Sequence, residues 1–304
     1  MEKKSNQNSL YQTLRTGASL ASWIGDSAGI SSTWNSRAEK LKEAINTYCW
    51  DESYGAFKDN ATETSLHPQD ANSMAVLFGV VDSDRAKNIS DKLTNNWTPI
   101  GAVAPELPDN IASFISSFEI QSHFVVHNSD RALDLIRRSW GWYINNPNGT
   151  ETTVIEGYLA NGTFGYRGDR GYYWDTSYVS HAHGWSSGPT SALTNYVVGL
   201  SVTSQLGLTW SLAPQFADLE YAEAGFVTSL GKFQASWTKS AMEYEVQFSV
   251  PKGTTGKLTL PYVTASKKPS ITLDGNRLTK GVLYAEDMAM FGVIGGGSHK
   301  VVVQ

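Results

Sequence analysis

Apolar residues recur at helical spacing through the first two-thirds of the chain and at strand spacing through the last third. Leu10, Leu14, Ala18 and Ala21 form one face of a helix predicted over residues 10–24, which the Gly25-Asp26 pair stops. The pattern restarts at Ser31, with Ser32 or Thr33 as cap and Ala38, Leu41, Ile45 and Tyr48 inward. A turn with a short hairpin follows around Tyr54-Gly55. Further helices are predicted over 68–80, 82–95, 111–126 and 129–143, the last with Leu133, Ile136 and Trp140 inward. Pro68 suits a first turn, and GAVAPELPDN (101–110) reads as a connecting loop. A seventh helix covers 189–201 through Leu193, Val197 and Leu200.

Residues 152–190 break this rhythm. They carry one carboxylate, Glu156, between apolar neighbours, then Phe164, Tyr166, Tyr172, Tyr173, Trp174 and Tyr178, then two histidines and Trp185. Without amphipathic periodicity the stretch reads as a long ordered loop or short strands, and long ordered loops are usually functional. From Leu208 onward, segments such as KFQASWTKS, MEYEVQFSV and HKVVVQ alternate or run β-branched between Gly, Pro and Asp turns. They predict an antiparallel β-sandwich of about ninety residues. Helices first and strands second imply two domains, 1–206 and 207–304, and not an alternating α/β fold. Helical hairpins whose loops bear acidic and aromatic residues suggest an α/α toroid, of which seven helices make about half.

Composition narrows the partner. A net charge of −5 with no basic cluster argues against nucleic acid or an anionic membrane surface. No apolar run approaches the roughly 20 residues a membrane helix needs. Ten tryptophans supply aromatic faces of the kind that suit sugar C–H faces, or else simply fill a core. The single Cys49 excludes an internal disulfide. Sequons at Asn60, Asn88, Asn96, Asn148 and Asn161 point to secretion, whereas MEKKSNQNSLYQ lacks an apolar signal core, so the compartment stays open.

Candidate chemistry gathers in 152–190. Glu156, between Ile155 and Gly157, reads either as a general base or as a surface carboxylate at a turn. His181 and His183 have no third ligand at a suitable spacing, so a hydrogen-bonding pocket histidine is expected instead of a metal site. Ser186 or Ser187 is placed to cap the helix that begins at Pro189. HGWSSGP contains no G-x-S-x-G elbow. Glu119, in an apolar helical context, points into a toroid cleft or bonds a neighbouring group. Gln69 and Asp70 either bind a ligand or complement a helix dipole.

The ordered set WDESYGAFKD, PQDANSMAVLFGV, FISSFEIQSHF, ALDLIRRSWGWY, TTVIEGY and SHAHGWSSGPT resembles the later part of the six-hairpin domain of family 78 α-L-rhamnosidases. The segment SWTKSAMEYEVQFSVPKGTTGKLTLP with the closing GGGSHKVVVQ resembles their C-terminal β-sandwich. The resemblance implies an (α/α)6 toroid followed by a sandwich, acting on rhamnose-containing glycosides by inverting hydrolysis of terminal α-L-rhamnose without a metal or cofactor. It implies Glu156 as the base that activates water, His183 as a substrate-pocket histidine and Trp185 as its aromatic wall; Glu119 and Trp174 stand beside them as candidate substrate contacts read from the residues themselves. It favours an extracellular parent enzyme.

Inversion needs a second carboxyl group roughly 6.5–9.5 Å away. The family carries its general acid in a D-x-x-x-R-x-[DE]-R-x-x-W-x-G-D type segment in the first half of the toroid, and this chain begins after that point. GDRGYYWD (168–175) is only superficially similar, so Asp169, Asp175 and Glu119 stand as fallback acids. Two expectations follow: an N-terminally truncated hydrolase, or a carbohydrate-binding remnant without catalysis. Half a toroid would also expose an apolar face and favour self-association.

Overall fold

The computed structural model describes residues 4–62, 64–263, 268–279, 281–285 and 287–304. It forms two compact units, Met1–Pro189 and Thr190–Gln304. The first is helical, with short hairpins; the second is dominated by one mixed sheet. Among the described residues no helix is long and apolar enough to cross a membrane.

In the first unit, α1 (Lys4–Trp23) packs on α2 (Ile30–Cys49) through a close approach at Gly17, where an added Cβ would lie 2.8 Å from the Trp34 ring. The cap of α2 differs from the expected Ser32 or Thr33. Gly29 takes the N-cap position with φ 73°, and the Asp26 carboxylate accepts from the amides of Ala28 and Ser31. Those amide bonds, led by Ser31, hold the Asp26 carboxyl below the usual range. Strands β1 (Trp50–Asp51) and β2 (Ala56–Phe57) form the hairpin at Tyr54-Gly55.

Helix α3 (Gln69–Leu77) is buried at Gln69 and continuously from Ala71 to Val76, the signature of an inner helix. Buried Asn72 accepts from the Phe57 amide at 2.8 Å and donates to the Phe57 carbonyl at 3.0 Å, docking the hairpin on α3. Helix α4 (Ser83–Leu93) starts at Asp82, whose side chain accepts from Arg85 N. Strand β4 (Gly101–Ala102) lies in the expected connecting loop and pairs with β3 (Trp97–Thr98) just before it, while β5 (Asn110–Ala112) replaces the start of the helix predicted from 111.

Helix α5 (Ser113–Val125) is also an inner helix, and its small buried faces at Ser113, Ser116, Ser117 and Ser122 admit close neighbours. The predicted helix over 129–143 is regular only as α6 (Ser129–Ile136). It widens into a π turn over Arg137–Gly141 and ends in α7 (Trp142–Ile144). The widened turn buries Trp140, whose Nε1 donates to the Ser186 carbonyl at 2.7 Å. Strand β6 (Gly157–Leu159) pairs with β5. Helix α8 (Gly188–Ala192) begins the seventh predicted helix, which continues as a π turn over Leu193–Val198 and stops at Gly199, φ 83°.

In the second unit, β7 (Leu200–Val202) replaces the predicted last helical turn, and β8 (Thr209–Leu212) pairs with it. Then come β9 (Tyr221–Thr228), β10 (Gly231–Lys239), β11 (Tyr244–Pro261), β12 (Ile271–Leu273), β13 (Asn276–Arg277), β14 (Val282–Ala285) and β15 (Met288–Val303). All belong to one nine-stranded sheet. It departs from the all-antiparallel expectation in one pair: β8 runs parallel to β11, from Thr255↔Thr209 to Leu258↔Leu212. The β9–β10 hairpin is the crossover that a parallel pair requires. β11 and β15 shift register between Val250/Thr255 and Gly256/Leu258, so each strand serves two sets of neighbours.

Buried Trp210, Trp237, Tyr244, Phe233, Leu258 and Val301 form the apolar interior of this unit. The polar ends of its large rings are satisfied: Trp210 Nε1 donates to Thr254 Oγ1 at 3.1 Å and the Tyr244 hydroxyl to the Pro261 carbonyl at 2.6 Å. Trp210 lies flat on Gly256, where an added Cβ would sit 2.1 Å from the indole. Gly256→Ala is therefore expected to destabilise this unit by about 2–3 kcal/mol in chemical denaturation followed by near-UV circular dichroism. Gly292→Ala, where an added Cβ meets nothing within 4 Å, is expected to stay within about 0.5 kcal/mol of the parent.

Candidate active site

The backbone of Glu156 is fixed from two sides. Its carbonyl accepts from the Ser113 amide at 3.2 Å, at the start of α5, and its amide donates to the Ser180 carbonyl at 2.8 Å. Gly157 is required next to it, because an added Cβ would stand 2.5 Å from the Tyr166 ring and 2.6 Å from the Ile111 carbonyl oxygen. A buried cluster including Ile111, Tyr143, Ile155, Tyr158 and Tyr166 supports this point from below.

The half-buried Glu156 side chain accepts two hydrogen bonds: from the Tyr172 hydroxyl to Oε1 at 2.7 Å, and from the Ser180 amide to Oε2 at 3.3 Å. The bond to Glu156, followed by burial, holds the Tyr172 phenol above its ordinary range, so the phenol keeps its proton. Tyr172 is flanked by Tyr166 and Tyr178, with ring centroids 6.2 and 6.0 Å away, and by the Arg167 guanidinium 5.4 Å from its centroid. The result is an oriented carboxyl group with lone pairs left for a water molecule.

A pair of carboxyl groups, Glu106 and Asp70, lies at the start of α3. Glu106 accepts from the amides of Gln69 at 2.8 Å and Asp70 at 3.0 Å. Burial, then the Asp70 charge, pushes the Glu106 carboxyl up to about 7. Tyr166 feels both groups: burial first, then Glu156, with Glu106 a smaller contribution, pushes its phenol up to about 12. Sequence reasoning passed over Glu106 as part of a loop. The signal available was an acid held between Pro105 and Pro108, rigid enough to cap a distant helix.

Glu119 is 0 % exposed and lies within the packing of α3 and α5. Trp97 Nε1 and Gln69 Nε2 each donate to it at 2.6 Å, and His123 Nε2 is 3.4 Å away. Burial lowers the His123 pKa, opposed by Glu119. Of the two roles expected for Glu119, bonding to neighbours is what these contacts describe.

His183 is half-buried, and the exposed Trp185 ring lies 6.5 Å from it and 5.3 Å from Phe114. His181 bonds the Tyr143 hydroxyl at 2.9 Å, and among the described residues no three His, Cys, Asp or Glu side chains are grouped to hold a metal. Asp169 accepts from Trp174 Nε1 at 3.0 Å. Asp175 caps the turn Thr176–Tyr178 through the Ser177 amide, and Ser177 holds its carboxyl below the usual range.

Two outcomes test these assignments. Glu119→Ala leaves Trp97, Gln69 and His123 facing a void, and should cost about 3–5 kcal/mol in urea denaturation. Glu106 binds its proton more tightly folded than unfolded, so its contribution is complete below the unfolded pKa and is lost as pH rises through about 7. Glu106→Gln should therefore gain in Tm relative to the parent between pH 4 and pH 8, which paired thermal scans measure; a gap that stays constant would refute the assignment.

Residues 208–271 match the bacterial alpha-L-rhamnosidase C-terminal domain. No curated protein matches the chain. In fold, the chain is similar to the alpha-L-rhamnosidase of Dictyoglumus thermophilum, with TM-score 0.73 and 17 % identity, over 97 % of this chain and 31 % of that one. It is similar to the Streptomyces avermitilis alpha-L-rhamnosidase complexed with L-rhamnose, with TM-score 0.70 and 16 % identity, over 98 % of this chain and 26 % of that one. A GH78 family rhamnosidase of Bacillus sp. GL1 matches 83 % of this chain and 25 % of its own length, with TM-score 0.66 and 24 % identity. The chain thus spans between a quarter and a third of the length of these proteins. In fold over nearly its whole length the chain is similar to α-L-rhamnosidases, and in sequence over residues 208–271 it matches their C-terminal domain.

Proposed function

We propose that the chain contributes the base-bearing side of an α-L-rhamnosidase site, in an (α/α)6 six-hairpin domain followed by a β-sandwich, and that Glu156 is the general base of inverting hydrolysis. The carrying observation is the Glu156 carboxyl group, oriented by the Tyr172 hydroxyl and the Ser180 amide beside the start of α5. The rhamnosidase likeness supplies the substrate class, terminal α-L-rhamnosides.

On this reading a water gives a proton to Glu156 as its oxygen attacks the anomeric carbon. The bond to the leaving oxygen breaks, and a general acid protonates that oxygen. His183 and the exposed Trp185 supply a polar contact and an aromatic wall for the sugar. Glu119 supports the site from within, through Gln69 at the start of α3 and His123 on α5. On this reading the general acid comes from the earlier part of the six-hairpin domain, where the family resemblance places it.

A second reading, carbohydrate binding without catalysis, is favoured by one observation. Glu106, the other carboxyl group in the field of Tyr166, has both oxygens committed to the α3 amides.

Release of rhamnose from an aryl α-L-rhamnoside tests the first reading. With a nitrophenyl aglycone, which leaves without help from a general acid, the parent chain should yield β-L-rhamnose first by NMR, and Glu156→Gln should lower kcat about 10²- to 10⁴-fold while L-rhamnose still binds in calorimetry. Undiminished turnover in Glu156→Gln removes Glu156 as the base. Binding without turnover in the parent selects the second reading.

A further inference from the structure

A groove of about 760 Å³ has walls that include Asp109, Asn161, Arg167, Asp169, Arg170 and Trp174. We infer that this groove is a separate saccharide subsite, with Trp174 as its stacking platform, that takes the neutral sugar attached to the glycosyl unit held near Glu156. The inference rests on the glycosidase reading for its place relative to the cleaved bond, but not for the groove's ability to bind.

The first argument is the state of the indole. Trp174 is 57 % exposed. One part of the ring lies on bare backbone: an added Cβ would stand 2.4 Å from it at Gly168 and 3.3 Å from it at Gly165. Its Nε1 is pinned to Asp169 Oδ1 at 3.0 Å. A ring supported beneath and fixed at its edge loses little freedom when a ligand stacks on its open face, which is where affinity is usually lost.

The second argument is the backbone that presents it. Asp109, Arg167, Tyr173 and Trp174 all have left-handed φ, at 63°, 54°, 52° and 61°. For consecutive bulky aromatic residues this conformation is unfavourable and is kept only where the surroundings hold it. Three of the four line this groove, and Tyr173 adjoins it. A plain surface turn would place glycine or asparagine at such positions.

The third argument is charge. Two carboxylates, Asp109 and Asp169, face two guanidinium groups, Arg167 and Arg170, so the lining is balanced. An anionic sugar would call for net positive charge. Planar two-pronged groups with no net charge suit the adjacent hydroxyls of a neutral pyranose.

Position gives the fourth. The Arg167 guanidinium lines the groove and also lies 5.4 Å from the Tyr172 ring centroid, and the Tyr172 hydroxyl bonds Glu156. The groove therefore begins one side chain away from the proposed base.

The test uses the unglycosylated full chain labelled with ¹⁵N at its indoles, the Trp174 resonance being assigned with Trp174→Phe. Probes are L-rhamnose and the disaccharide α-L-rhamnosyl-D-glucose. The Trp174 indole resonance is expected to move with the disaccharide and to stay still with L-rhamnose. Trp174→Ala, and Gly168→Ala, which lifts the ring off its support, should each weaken the disaccharide about tenfold and change L-rhamnose less than about twofold. Unchanged positions of the other indole resonances verify that each variant folds. Disaccharide binding that leaves Trp174 unmoved, or that Trp174→Ala does not weaken, overturns the groove and spares the glycosidase reading. A moving Trp174 without L-rhamnose binding or rhamnoside turnover keeps the groove and removes that reading. Failure of both probes to bind overturns both.

Discussion

A carboxyl group with no exposed surface must find all its hydrogen bonds inside the protein, and Glu119 is in that position. Its partners come from three places: Trp97 in β3, Gln69 at the first residue of α3, and His123 one turn further along α5. Satisfying one acid therefore fixes the register of the two inner helices and the hairpin between them. The network continues outward, since Ser90 bonds His123 and Arg131 bonds both Ser90 and Asp91. The starts of α3 and α5 depend on this arrangement, and Glu106 and Glu156 are anchored at those starts.

Much of the helical unit was legible because its apolar faces are regular. The faces through Leu14 and Ala18, or through Ala38 and Ile45, can be buried in only one way. Glu156 stood out for a local reason, a lone acid between an isoleucine and a glycine, and the later geometry explains the glycine by the approach of Tyr166. Glu106 did not stand out. Its meaning lies in amides more than thirty residues earlier, a relation that no local pattern encodes. The cap at Asp26 was missed for a related reason: the carboxylate reaches forward across a glycine turn, whereas Ser32 and Thr33 already lie inside the helix.

Other departures arise where tertiary contacts outweigh periodicity. The π turns at Arg137–Gly141 and Leu193–Val198 keep the composition of helices, and their widening serves buried groups such as Trp140. The strand-rich unit announced itself by alternation, but alternation carries no information on strand direction. The parallel partner of β11 could not be told from an antiparallel one, because both bury the same residues of β8.

The pairing of β11 with β15 has a further consequence, for the order of folding events. Tyr244 faces Val303 across about sixty intervening residues, and β12 is held against the same end of β15. β10 and β8 can add to β11 early, yet the central ladder cannot close until the final strand is available. During synthesis this unit must therefore wait, with the apolar side of β11 uncovered, while the residues leading to β15 emerge. The long strand that unites the sheet also makes its assembly non-local and late.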